Sequence, residues 1–498
     1  MSRSARLIAA ADAASRPFVA LPVTLDKGEA TVLSVLRDAV PGAGLPGDLS
    51  ADWCVRHGLK AEPGSTVVLR SVSGPSVLLV SVGDSFNGHD SFRLAGAAAA
   101  RAAGDATLAF LVPTEAIEDA SAAVQALVEG ALLASYDYKR PQEKGGFDVA
   151  VLGNPVPSNE VHDAAQRALN RASVIAEAVN WAKRLIDTPA GDLSPKELAK
   201  AFDARLSNDP KVKVDIWTES KVKDEKLGGL LGVGAGSDEP VRLVIARYRP
   251  QHDKPIPHIA LVGKGVTFDS GGLWIKSPDG MTTMKTDMSG SAIVMAAISM
   301  AARLGLPVEI TAITPLTENM LGGSATKPGD VLTIRNGTTI EVINTDAEGR
   351  LILADGLSLA VEANPDAIID IATLTGAQRI ALGDDMAAFF ASTDELASAI
   401  AAASDRSGEA MWRLPLVQQY NSLIESETAD VRNIGKGGGA GSIVAALILQ
   451  RFTGGRPWVH IDMAGPGRAD SPKGYYTRGG TAFGARTIVE FLSAISAG

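Results

Sequence analysis

Short apolar runs alternate with longer stretches whose apolar residues recur at helical spacing along most of the chain. In the first part this pattern predicts strands and helices in turn: a strand at 76–82, a helix at 92–103, a strand at 107–112 and a helix at 116–136. A polar stretch containing Pro and Gly, 139–159, then interrupts the alternation. The pattern therefore predicts a smaller N-terminal α/β domain over residues 1–159.

A long helix is predicted next, because Ala168, Ala172 and Ile175 are among apolar residues at helical spacing. We expect it to connect two domains over residues 160–187. Alternation resumes from about Thr188, with strands predicted at 259–262, 308–314, 368–371 and 458–461, and helices at 290–304, 350–362, 442–452 and 485–495. Strands separated by helices predict a central mixed sheet flanked by helices, in a larger C-terminal α/β domain over 188–498.

The length, net charge, cysteine content and apolar runs of the sequence restrict the classes of protein to which it can belong. A chain of 498 residues is too long for a single hydrophobic core, so at least two domains are expected. Its net charge of −10 argues against a broad nucleic-acid-binding surface. Cys54 is the one cysteine, which excludes an intramolecular disulfide and fits a reducing compartment. Residues 1–21 lack the apolar core of a secretory signal, and no apolar run is long enough to span a bilayer. We therefore expect a cytoplasmic protein with no membrane partner.

Several common catalytic motifs are absent from the sequence. It contains six His and no H-E-x-x-H pair, no G-x-x-x-x-G-K-[ST] phosphate loop and no G-x-S-x-G nucleophile elbow. The glycine pattern at 232–237, GVGAGS, follows an apolar run at 227–231 and permits a dinucleotide-binding interpretation. A βαβ unit with an acidic residue after its second strand is not evident, so a simple glycine turn near the active-site rim is favoured.

Two segments rich in carboxylates carry the candidate chemistry. The segment 263–290 follows a predicted strand and contains Lys264, Asp269, Lys276 and Asp287, and the segment 344–351 contains Asp346, Glu348 and Arg350. Strand-to-helix turns of this kind lie at the sheet edge where α/β folds bind ligands. A lone Asp in such a turn is more often a helix cap. The combined set, however, supplies the oxygen ligands and bridging carboxylates that a pair of divalent cations needs.

The octapeptide NTDAEGRL at 344–351 resembles the signature of the leucyl aminopeptidase (peptidase M17) family. The segment 263–290 is similar to the first metal-binding stretch of that family, with the same spacing of Lys, Asp, Lys and Asp. The resemblance continues from Val179 to the C-terminus through VNWAKRLIDTP, GVGAGS, TLTGA, ADVRNIG and WVHIDMAG. It implies a two-metal exopeptidase that releases N-terminal amino acids, preferably leucine and other bulky apolar residues, from peptides during intracellular protein turnover.

The resemblance also implies roles for individual residues. One metal would be held by Lys264, Asp269, Asp287 and Glu348, and the other by Asp269, Asp346 and Glu348, with Mn²⁺ expected first and Zn²⁺ second. Lys264 would have to be neutral, which requires a strongly lowered pKa. The catalytic pair would be Lys276 and Arg350, with Arg350 holding bicarbonate as a proton shuttle. The substrate-binding residues implied are Met284, Asn344, Thr373, Leu374, Gly376 and Ala464.

Two positions beside Lys276 depart from the family pattern: Trp274 replaces a commonly small residue, and Ser277 precedes the proline that usually follows the lysine directly. The resemblance implies a homohexamer acting on peptides with a free N-terminus. A different function, a DNA-binding accessory role in site-specific recombination, would need basic grooves that this acidic chain does not suggest. A catalytically inactive family member is disfavoured, because every metal and catalytic position is intact.

Overall fold

The computed structural model describes residues 3–24, 45, 49–71, 74–83, 88–114, 117, 119–139, 145–152 and 158–497. The chain forms two compact units. The first comprises Met1–Asn180 with Asp470–Arg478, and the second comprises Trp181–Ala469 with Gly479–Gly498. No helix of the described residues is both long enough and apolar enough to cross a lipid bilayer.

A six-stranded sheet forms the centre of the first unit. Its strands are β1 (Ala5–Leu7), β2 (Phe18–Val23), β3 (Thr66–Leu69), β4 (Ser76–Ser81), β5 (Leu108–Pro113) and β6 (Phe147–Leu152). Their order in the sheet is β1-β6-β5-β2-β4-β3, and all neighbours are parallel except β3 and β4. The central strands β5 and β6 are buried along their whole length, as is typical of a parallel sheet covered on both faces.

Helices of the first unit are α1 (Ala10–Ala13), α2 (Ala51–Arg56), α3 (His89–Ala103), α4 (Ala120–Ala134) and the first part of α5 (Asn159–Asp187). Helices α3 and α4 pack closely because glycines lie where they touch. A Cβ at Gly96 would lie 2.0 Å from the carbonyl oxygen of Leu127, and one at Gly130 would lie 1.9 Å from that of Arg93. Arg93 also forms a buried ion pair with Glu129, Nε to Oε2 2.8 Å.

The stretch 139–159 was predicted to interrupt the α/β pattern, and this prediction is wrong for its central residues. Strand β6 occupies Phe147–Leu152 and is fully buried in the first sheet. Its short FDVAVL pattern was obscured by the flanking Gly and Pro residues; of the boundary stretch, 140–144 and 153–157 lie outside the described residues. The predicted helix at 116–136 begins later, at Ala120, where Asp119 accepts a hydrogen bond from the N–H of Ala122; residues 116 and 118 also lie outside the described residues.

The connecting helix predicted at 160–187 corresponds to α5, Asn159–Asp187. The division between the two compact units falls within this helix, after Asn180, rather than at either end of it. The domain limits 1–159, 160–187 and 188–498 remain a prediction.

A nine-stranded mixed sheet forms the centre of the second unit. Its strands are β7 (Val212–Trp217), β8 (Arg242–Tyr248), β9 (His258–Gly263), β10 (Gly265–Asp269), β11 (Glu309–Asn319), β14 (Ala367–Ala372), β15 (Ala387–Ala391), β16 (Met411–Arg413) and β18 (Trp458–Asp462). The order is β16-β15-β18-β14-β9-β11-β8-β7, with β10 also paired to β11. The four central strands β18, β14, β9 and β11 are parallel. This mixed sheet with flanking helices confirms the predicted fold class.

Two small sheets lie outside the central one. The first contains β12 (Val331–Thr333), β13 (Thr339–Glu341) and β17 (Val431–Arg432), and the second contains β19 (Arg468–Ala469) and β20 (Gly479–Gly480).

Helices of the second unit include α6 (Pro195–Leu206), α7 (Glu219–Asp224), α8 (Gly228–Gly234), α9 (Pro278–Met281), α10 (Ser289–Leu304), α11 (Gly349–Glu362), α12 (Gly376–Leu382), α13 (Asp394–Ser407), α14 (Gly441–Gln450) and α15 (Ala485–Ala497). Short 3₁₀ turns occupy Ala190–Asp192, Met284–Met288 and Gln418–Ile424. Helices α10 and α11 are buried along most of their length and cover the central strands. Their nearly continuous apolar sequences follow from that burial.

The apolar run and glycine pattern at 227–237 do not form only the expected turn. Gly228–Gly234 is helix α8, and the turn begins after it. The glycines permit close packing, because a Cβ at Gly232 would lie 2.5 Å from the Leu332 side chain and one at Gly236 would lie 2.3 Å from the Met320 carbonyl oxygen. The pattern therefore serves packing, and the strand that a dinucleotide site requires before it is absent here.

Candidate functional site

The first acidic segment, 263–290, begins with strand structure and not with a glycine-rich loop. Strand β9 ends at Gly263, Lys264 occupies the break, and β10 continues along β11 to Asp269. The backbone of Lys264 is tied on both sides: its N–H donates to the carbonyl of Ile371 (3.3 Å), and its carbonyl accepts from the N–H of Ser291 (2.8 Å). The side chain of Lys264 therefore starts from a fixed point beside the central parallel strands.

Three carboxylates from the two segments converge. Asp269 lies at the end of β10, and Asp346 and Glu348 lie between β13 and the start of α11. One oxygen from each lies within 4.8 Å of the corresponding oxygens of the other two. Asp287, on the 3₁₀ turn Met284–Met288, joins them through Lys264. The structure thus brings together all four carboxylates that the sequence predicted.

Lys264 is buried among these acids. Its Nζ lies 2.8 Å from Asp287 Oδ2 and 2.7 Å from Glu348 Oε1, and it donates to the carbonyl of Thr373 at 3.1 Å. Burial alone would lower the pKa of Lys264, but the neighbouring carboxylates outweigh burial and raise it above 10.5. A neutral Lys264 therefore requires cations that take over the charge of these acids.

Lys276 lies on the more open side of the cluster. Its Nζ contacts Asp269 Oδ2 at 2.7 Å and Asp346 Oδ1 at 2.5 Å. The side chain of Lys276 is 17% exposed, whereas that of Lys264 is 3% exposed. Burial acts to lower the pKa of Lys276, but its acidic neighbours outweigh burial and raise this pKa. Lys276 is thus the more accessible of the two cations.

The carboxylates are crowded enough to perturb one another. Burial, followed by repulsion from Glu348, raises the pKa of Asp269 to about 6. Burial likewise raises the pKa of Asp287 well above its ordinary value. For Glu348, burial acts upward, but Lys264 and Lys276 outweigh it and lower the pKa. Four acids facing two ammonium groups leave negative charge in the site uncompensated.

The donor set fits divalent cations. Oε2 of Glu348 is buried and has no hydrogen-bond partner among the described residues, although a buried carboxylate oxygen is normally paired. Clustered carboxylate oxygens are the ligands that hard cations prefer. Asp269, Asp287, Asp346 and Glu348 together can therefore hold such ions, with Lys264 as an additional ligand once neutral.

Arg350 lies in the first turn of α11, buried and apart from the carboxylate oxygens. Its Nη1 donates to the carbonyl of Asn433 at 2.7 Å, and its Nε has no partner among the described residues. Burial lowers the pKa of Arg350 to about 10. The unpartnered Nε leaves a donor available for an anion.

Two asparagines that the sequence analysis did not single out hold the ligands in place. Asn319, the last residue of β11, donates through Nδ2 to Asp269 Oδ1 (2.8 Å) and to the carbonyl of Thr345 (3.0 Å). Asn433 accepts from the N–H of Ile343 (2.8 Å) and donates to the carbonyl of Asn344 (2.6 Å). For Asn433 the ADVRNIG resemblance was the available signal; for Asn319 there was none.

The six predicted substrate residues lie on four segments around the cluster. Met284 begins the turn that carries Asp287, Asn344 begins the second acidic segment, and the others follow strands β14 and β18. Thr373 contacts the cluster directly, because its Oγ1 donates to Asp287 Oδ1 at 2.7 Å. The Oδ1 of Asn344 accepts from the N–H of Asp346 at 2.7 Å, so this side chain also braces the acidic turn.

The two departures beside Lys276 have different structural settings. Ser277 caps the short helix α9: its Oγ accepts from the N–H of Gly280 at 3.3 Å, and Pro278 follows at the first helical position. The Trp274 side chain is 53% exposed, while its N–H donates to Thr345 Oγ1 at 2.8 Å. The backbone at Trp274 is thus tied to the second acidic segment despite the changed side chain.

Comparison with known proteins places this geometry in a family. Residues 180–489 match the sequence model described as "Cytosol aminopeptidase family, catalytic domain", and residues 21–145 match that of the N-terminal domain of the same family. The first range contains every predicted metal-binding, catalytic and substrate residue.

Individual relatives agree. The probable cytosol aminopeptidase of Leifsonia xyli subsp. xyli is 42% identical over 438 residues, covering 85% of this chain and 86% of the relative. That of Streptomyces griseus subsp. griseus is 38% identical over 525 residues, covering 99% of each.

Solved structures also resemble this one. The bottromycin maturation enzyme BotP has a TM-score of 0.83 at 35% identity, covering 97% of this chain and 100% of that one, and it has also been solved in complex with Mn. A mutant of tomato leucine aminopeptidase has a TM-score of 0.84 at 29% identity, covering 99% of this chain and 96% of that one. Because the catalytic-domain match spans more than half of the chain and relatives near 40% identity cover most of it, the protein is a member of the cytosol aminopeptidase family and an aminopeptidase.

Proposed function

We propose that this aminopeptidase is a two-metal exopeptidase that releases leucine and other bulky apolar residues from the N-terminus of peptides during protein turnover in the cytoplasm. The observation that carries the proposal is the convergence of Asp269, Asp346 and Glu348 within 4.8 Å, beside the buried Lys264. Such a concentration of acids is costly without cations, and two divalent ions would balance it.

The proposed ligands divide between two ions. Lys264, Asp269, Asp287 and Glu348 would hold one, and Asp269, Asp346 and Glu348 the other. When bound, the ions supply Lewis acidity toward the scissile carbonyl and toward the attacking water. The Mn complex of BotP supports Mn²⁺ as the first choice, with Zn²⁺ as the second.

Lys276 and Arg350 are proposed as the catalytic residues. The accessible ammonium of Lys276 would donate to the negative charge that develops on the carbonyl oxygen, a contribution made mainly in the transition state. Arg350 would hold bicarbonate, which accepts and returns the proton; its unpartnered Nε supports an anion there. Asn319 and Asn433 would keep the ligands oriented.

We propose that the N-terminal side chain of the substrate binds in a pocket, which would set the preference for apolar residues. The pocket would be formed by Met284, Asn344, Thr373, Leu374, Gly376 and Ala464. A flexible Met and small neighbours suit several apolar side chains. The likeness to tomato leucine aminopeptidase supports leucine, although the likeness to a bottromycin maturation enzyme indicates that substrates differ within this fold.

A homohexamer is proposed from the sequence resemblance. The recombination accessory role finds no support in the comparisons, since the relatives described above carry enzyme names.

Variants at the two lysines test the two-metal proposal. Lys264→Ala should lower the Mn²⁺ content, chiefly at one site, with partial rescue by excess metal. Lys276→Ala should keep both ions and lower kcat by roughly 10²–10³-fold, as expected for loss of one oxyanion donor. Metal content would be measured by plasma emission spectrometry, and kinetics with leucine p-nitroanilide.

Lys200→Ala is a matched control, because Lys200 is an exposed lysine in the same unit that forms an ion pair with Glu197 of its own helix. Removing metal from the wild type with a chelator should abolish hydrolysis, and Mn²⁺ or Zn²⁺ should restore it. Full activity in metal-free protein would refute the two-metal mechanism. Loss of metal from the Lys276 variant, or normal metal affinity in the Lys264 variant, would refute the assigned roles.

A further inference from the structure

Two of the segments proposed to line the substrate pocket begin side by side. The segment 373–376 follows β14, and Ala464 lies two residues after β18. These strands are parallel neighbours, with Ala372 paired to Asp462 at their carboxyl ends. The side chain of Asp462 is completely buried at this point.

Asp462 connects the two segments through its carboxyl oxygens. Oδ1 accepts from the N–H groups of Leu374 (3.1 Å), Thr375 (3.3 Å) and Ala464 (3.3 Å). Oδ2 accepts from the hydroxyl of Thr375 at 2.6 Å. That hydroxyl also contacts Ser442 Oγ at 2.7 Å, at the start of α14. One completely buried side chain therefore satisfies three backbone donors, two on the segment after β14 and one on the segment after β18.

The opposite end of the same segment is held by the predicted metal ligands. Thr373 donates through its hydroxyl to Asp287 and accepts through its carbonyl from Lys264. The segment is thus fixed at Thr373 by the metal cluster and at Leu374 and Thr375 by Asp462. Only the second attachment also reaches Ala464. Asp462 therefore holds the two pocket walls together at Leu374, Thr375 and Ala464, beside the bonds from the N–H of Met463 to the Ala372 carbonyl (2.9 Å) and from the N–H of Gly465 to Gln378 Oε1 (2.6 Å).

We infer that Asp462 is a positioning residue for side-chain selectivity: by joining the two walls it helps to shape the pocket so that a bulky apolar N-terminal residue is bound in preference to a small one. The inference rests on the proposed function, because it takes 373–376 and Ala464 as walls of that pocket. Asp462 has no contact with the metal ligands among the hydrogen bonds of the described residues, so its effect should fall on substrate binding and leave metal binding unchanged.

The test compares leucine and alanine p-nitroanilide as substrates of the Mn²⁺-loaded enzyme. Asp462→Ala should lower the leucine-to-alanine ratio of kcat/KM by about tenfold, mainly through a higher KM for leucine, since packing of a single methylene group in an apolar pocket gives roughly 10–200-fold discrimination. Asp462→Asn should largely preserve the ratio: its amide oxygen can accept the backbone N–H groups, and the Thr375 hydroxyl can reverse to accept from its NH₂ group. Mn²⁺ content should be normal in both variants.

Asp394→Ala is the control, since Asp394 is a highly exposed acid in the same unit. The selectivity ratio does not depend on the fraction of active enzyme, so a merely structural role would leave it unchanged. If Asp462→Ala is not obtained folded, Thr375→Val, which removes the 2.6 Å contact, replaces it. An unchanged ratio in the folded variant overturns the inference, as does loss of Mn²⁺ in step with selectivity. A wild type without leucine preference refutes instead the proposed function on which it rests.

Discussion

Gly349, the first residue of α11, lies where a side chain would collide with Lys264, and a substitution can test this. A Cβ at this position would lie 2.7 Å from Cε of Lys264 and 2.8 Å from both its Cδ and Nζ. Ordinary contact begins near 3.4 Å, so Lys264 would have to move by about 0.7 Å at its Cε. Its Nζ is held by Asp287 and Glu348 at 2.8 and 2.7 Å, and a shift of that size disturbs both contacts.

We therefore expect Gly349→Ala to lower the free energy of unfolding by about 1–3 kcal/mol, the usual cost of overpacking, despite the better helix propensity of alanine. Mn²⁺ affinity should fall by roughly 10–100-fold, as for other changes that reorient ligands.

Urea denaturation with chelator present measures the first effect, and calorimetric titration with Mn²⁺ measures the second. Gly191→Ala is the matched control, because a Cβ there meets no atom within 4 Å. If Gly349→Ala matches the control in both measurements, Lys264 does not need the space that the glycine leaves.

Further predictions address other parts of the molecule. Burial raises the pKa of Asp355 from 3.8 to about 7, so the folded state binds more protons than the unfolded state between these values. Stability should consequently fall as the pH rises from about 4 to about 7 and then level off, and Asp355→Asn should flatten this slope in urea midpoints measured across that range. Gly130→Ala should lower the melting temperature of the first unit, because its Cβ would lie 1.9 Å from the Arg93 carbonyl oxygen; calorimetry that shows no change would contradict the close helix packing. Light scattering should give a hexamer of 51.5 kDa subunits, and an active monomer would refute that assembly. N-acetylated leucine p-nitroanilide should not be hydrolysed, and liquid chromatography showing its cleavage would contradict exopeptidase action.

Burial on both faces explains which strands the sequence could predict. The parallel strand β9 contains a continuous apolar run at 259–262, and β14 and β18 are short apolar runs interrupted by Asp370 and His460. The helices covering these strands are rich in apolar residues. Strand β6 is equally buried, but its six residues stand between glycines and prolines that indicate a loop. Helix α8 was missed for a related reason: its glycines disfavour an isolated helix, and packing against Leu332 and the Leu351 carbonyl compensates.

The candidate site, like the fold, could be predicted from the sequence only in part. The strand-to-helix pattern identified both acidic segments, but the common sheet edge applies only to the first. Asp269 ends β10 of the central sheet, whereas Asp346 and Glu348 follow β13 of the small three-stranded sheet. Their exact partners could not be predicted, since Asn319 lies 50 residues from Asp269 and Asn433 lies 89 residues from Asn344. Local patterns carry no information on contacts at such separations. The roles of individual ligands came from the resemblance of the segments 263–290 and 344–351 to the family, and the structure supplies the distances that make those roles testable.

The contacts of Asn433 also bear on when the protein can acquire its metals during synthesis. Asp346 and Glu348 are translated long before Asn433, yet the backbone that carries them is held by this side chain and by the bond from Arg350 to its carbonyl. Until residue 433 has left the ribosome, the acidic turn lacks these long-range contacts, and domains generally become ordered only when their distant segments are present. We therefore expect a nascent chain that ends before residue 433 to present these acids without their long-range support. On the proposed function, the divalent-cation site would then form only once Asn433 has joined the acidic turn.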